Sequence, residues 1–518
     1  LSVPPSSADS SSSAPSSAQS SDFDLLVVGG GINGAGIARD AAGRGLRVLL
    51  VEKGDIAGAT SSWSSKLIHG GLRYLEQYQF RLVSEALGER EVLLRIAGHL
   101  VWPCEFVMPH VRELRPRWMI RLGLFFYDHL ARRDALPACA PVRLDQAPYN
   151  AGLRAGLVHG FRYADCRVDD ARLVIANARG ARALGAGVLA RTELQRAERR
   201  DGRWNAVLRD AQGAERTIRA RAVVNATGPW VKQVLNDRLG QPSDEAVRLI
   251  QGSHIVLPRL YAGEHAFILQ NDDRRVVFMI PFEERYTLVG TTDIPLEGDI
   301  AKPHASDAEV EYLCRAVNRY LQRPVRGEDV VWRFAGVRPL YDDGTQDPSA
   351  ITRDYVLRVD AGDGASAAAP VLSVYGGKIT TYRRLAEHAL EKLAPYFPGM
   401  QPPWTAGAAL PGSEFGDRPR SALRDAFYAR YPDLPRPLLR DLFHRHGSLA
   451  PDVLGEARTM SDLGEDFGGG LTAREVDYFV AREWAQTADD VLWRRSKAGL
   501  RLDPAARERL AQFMGRER

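Results

Sequence analysis

The chain has 518 residues, too many for one compact core, so two or three domains are expected. A hydrophobic fraction of 45% is normal for a globular protein. No run approaches the ~18 apolar residues of a membrane-crossing helix, and a net charge of +4 without any Lys/Arg block argues against a nucleic-acid partner. Four scattered cysteines, Cys104, Cys139, Cys166 and Cys314, have no C-x-x-C spacing, which argues against structural zinc, iron–sulfur or a redox dithiol and fits a reducing compartment.

Residues 1–21 are mostly Ser, Ala and Pro, too poor in bulky apolar groups to offset ordering entropy, so a disordered tail is expected. The tail has neither the apolar centre of a secretory signal nor the arginines of a mitochondrial presequence, which places the protein inside the cell. Residues 24–52 then form one complete dinucleotide-binding unit. Leu25–Val28 reads as a buried parallel strand, and Gly29, Gly31 and Gly34 supply a G-x-G-x-x-G turn. A helix follows over Asn33–Ala42, Gly43 and Gly45 end it, and Leu46–Val51 is the second strand, with Glu52 at its C-terminal end. Glycine lets the backbone approach a pyrophosphate, which sits on the helix N-terminus. The Glu52 carboxylate suits a ribose diol and would repel a 2′-phosphate.

Helical periodicity returns at Tyr78–Ile96 and at Asp169–Leu184, with short strands around Gly187–Arg191 and Trp204–Arg209. A strand over 221–228 breaks at Thr227-Gly228, and Pro229 and Trp230 open the next helix. Alternation predicts antiparallel strands at Ser253–Leu257, Ala266–Gln270, Arg275–Pro281 and Tyr286–Gly290. Residues 372–393 return to strand, Gly-Gly turn and long helix. From Arg420 the pattern is helical, including Ala473–Gln486 and Asp489–Leu500, with capping-box spacing at Thr472 and Glu475. The order predicts a tail at 1–21, an oxidoreductase region at 22–395 and a helical C-terminal domain at 396–518. Within 22–395, the dinucleotide-binding parts are near 22–100, 160–240 and 335–395, and the inserted sheet is near 241–334.

Three further segments carry chemistry. The run 59–74 sets hydroxyls, a lysine and small residues where a diphosphate or a flavin edge would lie; Thr60, Ser61, Ser65, Lys66, Leu67, His69 and Gly71 are its candidate contacts. Asn225-Ala-Thr-Gly-Pro-Trp offers Gly228 as a second backbone approach. In Tyr375-Gly-Gly-Lys-Ile-Thr-Thr-Tyr-Arg, Gly377 and Thr380 lie at a helix N-terminus, which with a lysine would stabilise negative charge on a reduced flavin. Lysine is rare, seven of 69 basic residues, yet Lys66 and Lys378 both fall in these segments.

With these strings, and with Gly-Ser-His-Ile-Val (252–256), Gly-Thr-Thr-Asp (290–293), Gly-Val-Arg-Pro-Leu (336–340), Thr-Arg-Asp-Tyr (352–355) and Ser-Asp-Leu-Gly-Glu-Asp-Phe-Gly (461–468), the chain resembles the FAD-dependent, quinone-linked glycerol-3-phosphate dehydrogenases from Phe23 onward. The resemblance implies an α/β + α fold: a Rossmann-like FAD-binding domain of the D-amino-acid-oxidase-like flavoproteins, an interleaved antiparallel-sheet substrate domain and a helical C-terminal domain. It also implies FAD as cofactor, no metal, and oxidation of sn-glycerol 3-phosphate to dihydroxyacetone phosphate, with electrons passed to ubiquinone or menaquinone. The implied location is cytoplasmic, on the inner face of a bacterial cell membrane.

A phosphate dianion needs fixed guanidinium forks, and the matching positions offer Arg73, Arg338 and Arg353, with Tyr74 and Lys378 as further donors. His254 is the candidate general base, or alternatively only a hydrogen-bonding residue; Arg338 is its catalytic partner, orienting the hydroxyl. Residues 112–133 mix arginines with Trp, Phe and Leu, which suits an interfacial helix on anionic lipid and equally a core-packed amphipathic helix. The competing functional readings are a glycerol-3-phosphate oxidase using oxygen, an amine-oxidising flavoprotein, and a non-catalytic FAD-bound module. A homodimer remains one arrangement open to the chain.

Overall fold

The computed structural model describes residues 22–111, 116–243, 245–273, 275–342, 354–362 and 369–515. The Ser-rich stretch 1–21 and Arg353 lie outside the described residues, as does the side chain of Arg73.

Two sheets organise the body. The first holds five parallel strands in the order Val371–Tyr375, Glu215–Asn225, Asp22–Val28, Val48–Val51, Gly187–Leu189, with Val356–Asp360 antiparallel on one edge. Leu25, Leu26, Val27, Leu49, Leu50, Val223 and Val224 are fully buried, as strands covered on both faces require. The helices Ile32–Gly43, Asp170–Ala183 and Tyr382–Leu393 pack on one face. The hairpin Thr192–Arg200/Arg203–Asp210 contributes Leu194 and Trp204 to the other. Asp169 caps its helix by accepting from the Arg172 N–H at 3.2 Å, matching the acidic start read in the sequence.

The second sheet has ten strands. Ala266–Gln270 and Tyr286–Gly290 have the predicted bounds; Ala246–Pro258 and Val276–Phe282 extend or shift the predicted ones. The sheet is wider than the insertion expected at 241–334. Leu67–Ile68, Val101–Pro109, Ala140–Arg143 and His159–Val168 join it from the N-terminal side, and Trp332–Asp342 runs beside Ala246–Pro258.

Three local expectations differ from the structure. The helix predicted after Pro229 is a short turn at Val231–Gln233 followed by a wider turn to Arg238. The helix predicted at 489–500 is a wide turn, Asp490–Arg495, then Ala498–Leu500, because Lys497 adopts φ +59° between them. Thr472 does precede the helix Ala473–Glu483, but its side chain makes no capping bond. The Glu475 carboxylate is taken instead by Arg445 and His446, both at 2.8 Å.

The C-terminal helices are bound to the body by buried charge. Glu483 accepts from Arg172 at 3.0 Å and from Arg179 at 3.1 Å, Asp490 pairs with Arg191 at 2.8 Å, and Asp55 pairs with Arg495 at 2.7 Å and with Arg494. Trp493 stacks on Trp332 with centroids 4.6 Å apart.

Candidate active site

A cavity of about 560 Å³ opens where four parallel strands end. Gly29 follows Asp22–Val28, Glu52 follows Val48–Val51, Ala226–Gly228 follows Glu215–Asn225, and Gly376–Gly377 follows Val371–Tyr375; all line it. Ligands of parallel α/β sheets bind at these carboxyl ends. Gly29 has φ +109°, and a Cβ there would meet the Ala226 carbonyl oxygen at 2.6 Å. Gly31 lines the cavity at the N-terminus of Ile32–Gly43. Gly34 does not line it: a Cβ there would fall 1.9 Å from the Gly29 carbonyl oxygen, so its smallness seats helix on turn rather than touching a ligand.

Glu52 accepts the Gly30 and Gly54 N–H groups, each at 2.7 Å, and burial raises its carboxyl above the usual range while those two bonds oppose the rise. Each oxygen keeps a further lone pair for a diol. Asn33 donates to the Gly376 carbonyl at 3.2 Å, while its buried Oδ1 has no partner among the described residues. Lys53 lies over the Trp230 ring, 4.1 Å from its centroid, at the rim of the same space. The C-terminal helices close it with Thr487, Asp489, Asp490 and Arg494.

A second cavity of about 310 Å³ continues the first, sharing Ile32, Thr60, Ser61, Trp63 and Gly377. Ser61 Oγ accepts from the Ile32 N–H at 3.0 Å and Thr60 donates to the Val337 carbonyl at 2.7 Å, so these two fix the loop that joins the spaces. The far wall is one face of the second sheet. His254 lies opposite Gly290 on one neighbouring strand and opposite Phe334 on the other; Gly252, Gly336 and Arg338 follow on the same face with the period of two. That register stacks His254 on Phe334, centroids 4.9 Å apart. It also explains two glycines. A Cβ on Gly290 would meet His254 Cδ2 at 2.1 Å, and one on Gly252 would meet Arg338 Nη2 at 2.4 Å.

His254 Nε2 lies 2.9 Å from Ser65 Oγ, bringing together two residues singled out separately in the sequence. Its Nδ1 has no partner among the described residues. Burial first, then the charges of Arg338 and Lys66, hold the imidazole well below its ordinary pKa, so it is neutral near pH 7. Arg338 donates to Asp293 and to Thr291 Oγ1, both at 3.1 Å. Leu67, His69, Gly71, Tyr74, Lys378 and Thr380 also line this space. Lys378 Nζ sits 3.9 Å from the Tyr74 ring centroid. Gly228 borders the first cavity and Gly377 both.

Lys66 is a correction. It lines neither of these two cavities: its ammonium is buried on Asp170, at 2.8 and 2.9 Å, and on the Ser62 carbonyl at 2.9 Å. Residues the sequence reading passed over are Asn33, Trp63, Arg275, Thr291 and Asp293. Asn33 and the Gly-Thr-Thr-Asp string were visible, but the contacts depend on the fold.

The bent, continuous space, the glycine approach at the helix start, the carboxylate at the second strand end and the orphaned Asn33 oxygen all suit a dinucleotide whose ring reaches the shared end. The fold and site are therefore those of a flavoprotein oxidoreductase. Residues 24–372 match the FAD dependent oxidoreductase family and 404–517 match the C-terminal domain of alpha-glycerophosphate oxidase. The chain is 52% identical to a glycerol-3-phosphate dehydrogenase of Pseudomonas aeruginosa, covering 96% of this chain and 95% of that one. It is 48% identical to a D-erythritol 1-phosphate dehydrogenase of Brucella abortus, covering 95% and 97%. A crystal structure of the glycerol-3-phosphate dehydrogenase from Bacillus halodurans, complexed with FAD, superposes with a TM-score of 0.72 at 26% identity, covering 96% and 94%. The chain belongs to the FAD-dependent glycerol-3-phosphate dehydrogenase family.

Proposed function

We propose that this protein oxidises sn-glycerol 3-phosphate to dihydroxyacetone phosphate and passes the electrons to a membrane quinone. The observation that carries the reading is the second cavity. Arg275, braced by Asp273 at 2.7 Å, Arg338, braced by Asp293 at 3.1 Å, and Lys378 all face it, beside a neutral buried imidazole. Three fixed cationic side chains around one space suit a phosphate ester better than an amine. Gly29, Gly31, Glu52, Thr60, Ser61, Gly228 and Gly377 would hold FAD, which when bound supplies the hydride acceptor. In this assignment Lys378 and Tyr74 hold the phosphate. Arg338, braced by Asp293 and Thr291, orients the reacting hydroxyl. His254, its ring fixed by Ser65, takes the hydroxyl proton.

The acceptor and the membrane contact rest on a surface patch. On the helix Arg117–His129, Trp118 is 66% and Phe125 56% exposed; Met119, Leu122 and Phe126 are exposed beside them, and Tyr78 and Phe80 extend the patch. Ile120, Leu124 and Tyr127 are buried, so the inner face is core-packed and only the exposed face is available to a lipid surface. Arginines among exposed aromatics suit an anionic lipid surface. No helix among the described residues is long and apolar enough to cross a membrane.

The relative that acts on D-erythritol 1-phosphate is nearly as similar as the glycerol-3-phosphate dehydrogenase, so substrate choice is the sharpest test. Turnover with a soluble quinone analogue is expected to favour glycerol 3-phosphate over D-erythritol 1-phosphate, with little hydrogen peroxide formed. The reverse preference would reassign the substrate, and stoichiometric peroxide would make the protein an oxidase, against the dehydrogenase names of its near-full-length relatives.

A further inference from the structure

Between the outward patch and the substrate cavity lies a buried polar cluster that the reaction as described does not use. Tyr127, on the inner face of Arg117–His129, donates its hydroxyl to Asp165, 2.7 Å from each carboxylate oxygen. The same hydroxyl accepts the Gly70 backbone N–H at 3.0 Å, and Asp165 lies 3.3 Å from that nitrogen. Arg90, from the helix Phe80–Ile96, clamps Asp165 at 2.8 Å and the Ala164 carbonyl at 2.8 Å. All three side chains are at least 97% buried. Burial and the Asp165 carboxylate push the Tyr127 hydroxyl far above its ordinary pKa, so it stays a donor.

Gly70 is shaped to this cluster. A Cβ there would meet Tyr127 Oη at 2.6 Å and Leu87 Cδ2 at 2.4 Å. Its neighbours both line the substrate cavity: His69, whose N–H donates to Thr380 Oγ1 at 3.3 Å, and Gly71, which starts the turn Leu72–Gln77 that carries Tyr74. The Tyr74 ring in turn meets Lys378.

We propose that Tyr127 is a positioning residue for the reaction: held by Asp165 and Arg90, it latches Gly70 and so sets Tyr74 and Lys378 for the phosphate of the substrate. The latch touches neither cavity. It acts through one backbone amide, and it belongs to the helix whose other face is exposed. The inference rests on the phosphate-ester reading of the cavity for its kinetic consequence, but the latch itself can be read without substrate.

The test uses the FAD-loaded enzyme and Tyr127→Phe, which removes one hydroxyl and keeps the ring. Amide hydrogen exchange over 67–72 is expected to speed up roughly three- to ten-fold, the weight of about one net hydrogen bond. KM for glycerol 3-phosphate should rise by about the same factor, with kcat changing less than about two-fold and FAD content unchanged. Leu124→Ala is the control. It loosens the packing of the same helix but keeps the hydroxyl, so it should lower the melting temperature and leave KM alone. Unchanged exchange at 67–72 in Tyr127→Phe would overturn the latch. Faster exchange with unchanged KM, or an equal KM rise in Leu124→Ala, would reduce Tyr127 to ordinary core packing. A wild-type enzyme inert toward glycerol 3-phosphate would refute the substrate reading and not the latch, whose exchange signature is independent of it.

Discussion

Buried charge is used in two different ways in this molecule. At the seam between the body and the C-terminal helices, arginines meet carboxylates: Arg172 and Arg179 on Glu483, Arg191 on Asp490, Arg494 and Arg495 on Asp55; within the C-terminal helices Arg445 does the same on Glu475. In the second cavity Arg275, Arg338 and Lys378 share the wall with Asp293, and Asp273 holds Arg275 from behind at 2.7 Å. The seam cations are buried on their carboxylates and hold the fold; the cavity arginines are held from behind, Arg275 by Asp273 and Arg338 by Asp293, and border open space that an anionic substrate would fill. The chain is rich in arginine throughout, so residue type alone does not tell a structural cation from a recognising one. What distinguishes them is the open space that the cavity arginines border.

The largest effect is expected at Glu483. Glu483→Ala leaves Arg172 and Arg179 buried without their carboxylate and is expected to cost about 3–5 kcal/mol in denaturant unfolding. A loss under about 1 kcal/mol would mean the seam is not held by charge. On the cavity side, Arg338→Ala should lower kcat/KM by about 10²–10³, near the loss for one donor at a developing charge, with stability changed by no more than about 0.5 kcal/mol. Stability falling as far as activity would move Arg338 into the structural class. His254→Ala should slow flavin reduction by about 10²-fold or more with FAD content kept; equal loss of both would make it a folding residue.

The buried carboxylates also predict an acid response. Although burial alone would raise them, the carboxyls of Glu475 and Glu483 are held down to about 2, mainly by Arg445 and His446 for the first and Arg172 and Arg179 for the second. A folded-state pKa below the unfolded one means the stabilisation is complete above the unfolded value, near 4.5, and is lost as pH falls toward about 2. Unfolding free energy should therefore drop across that window, and the slope should flatten in Glu475→Gln. The smallest effect is expected on the outer helix face. Trp118→Ser should change stability by no more than about 0.5 kcal/mol while weakening salt-sensitive binding to anionic vesicles; unchanged binding would place the lipid contact elsewhere.

The sequence shows these regions with unequal clarity, for physical reasons. Every part of the dinucleotide unit at 24–52 is consecutive, so turn, helix, strands and acid could be read from a single stretch. The sheet strands around His254 were legible from alternation, and the pairing of His254 with Arg338 followed from family motifs, but Gly252 and Gly290 as the space-makers needed the cross-strand register. Lys66 carries no local sign of its partner: its ammonium sits on Asp170, 104 residues away. The seam left no local trace: Arg172 and Glu483 are 311 residues apart, and nothing in either helix pattern announces the other.

The central claim, that the cation-rich cavity is where a phosphate ester is oxidised, is tested most directly without oxygen. The purified yellow protein is mixed anaerobically with sn-glycerol 3-phosphate, or with glycerol, and the flavin absorbance near about 450 nm is followed. Prompt bleaching by glycerol 3-phosphate and none by glycerol is the predicted result. Flavin that stays oxidised with glycerol 3-phosphate, or that bleaches equally with glycerol, would contradict the account.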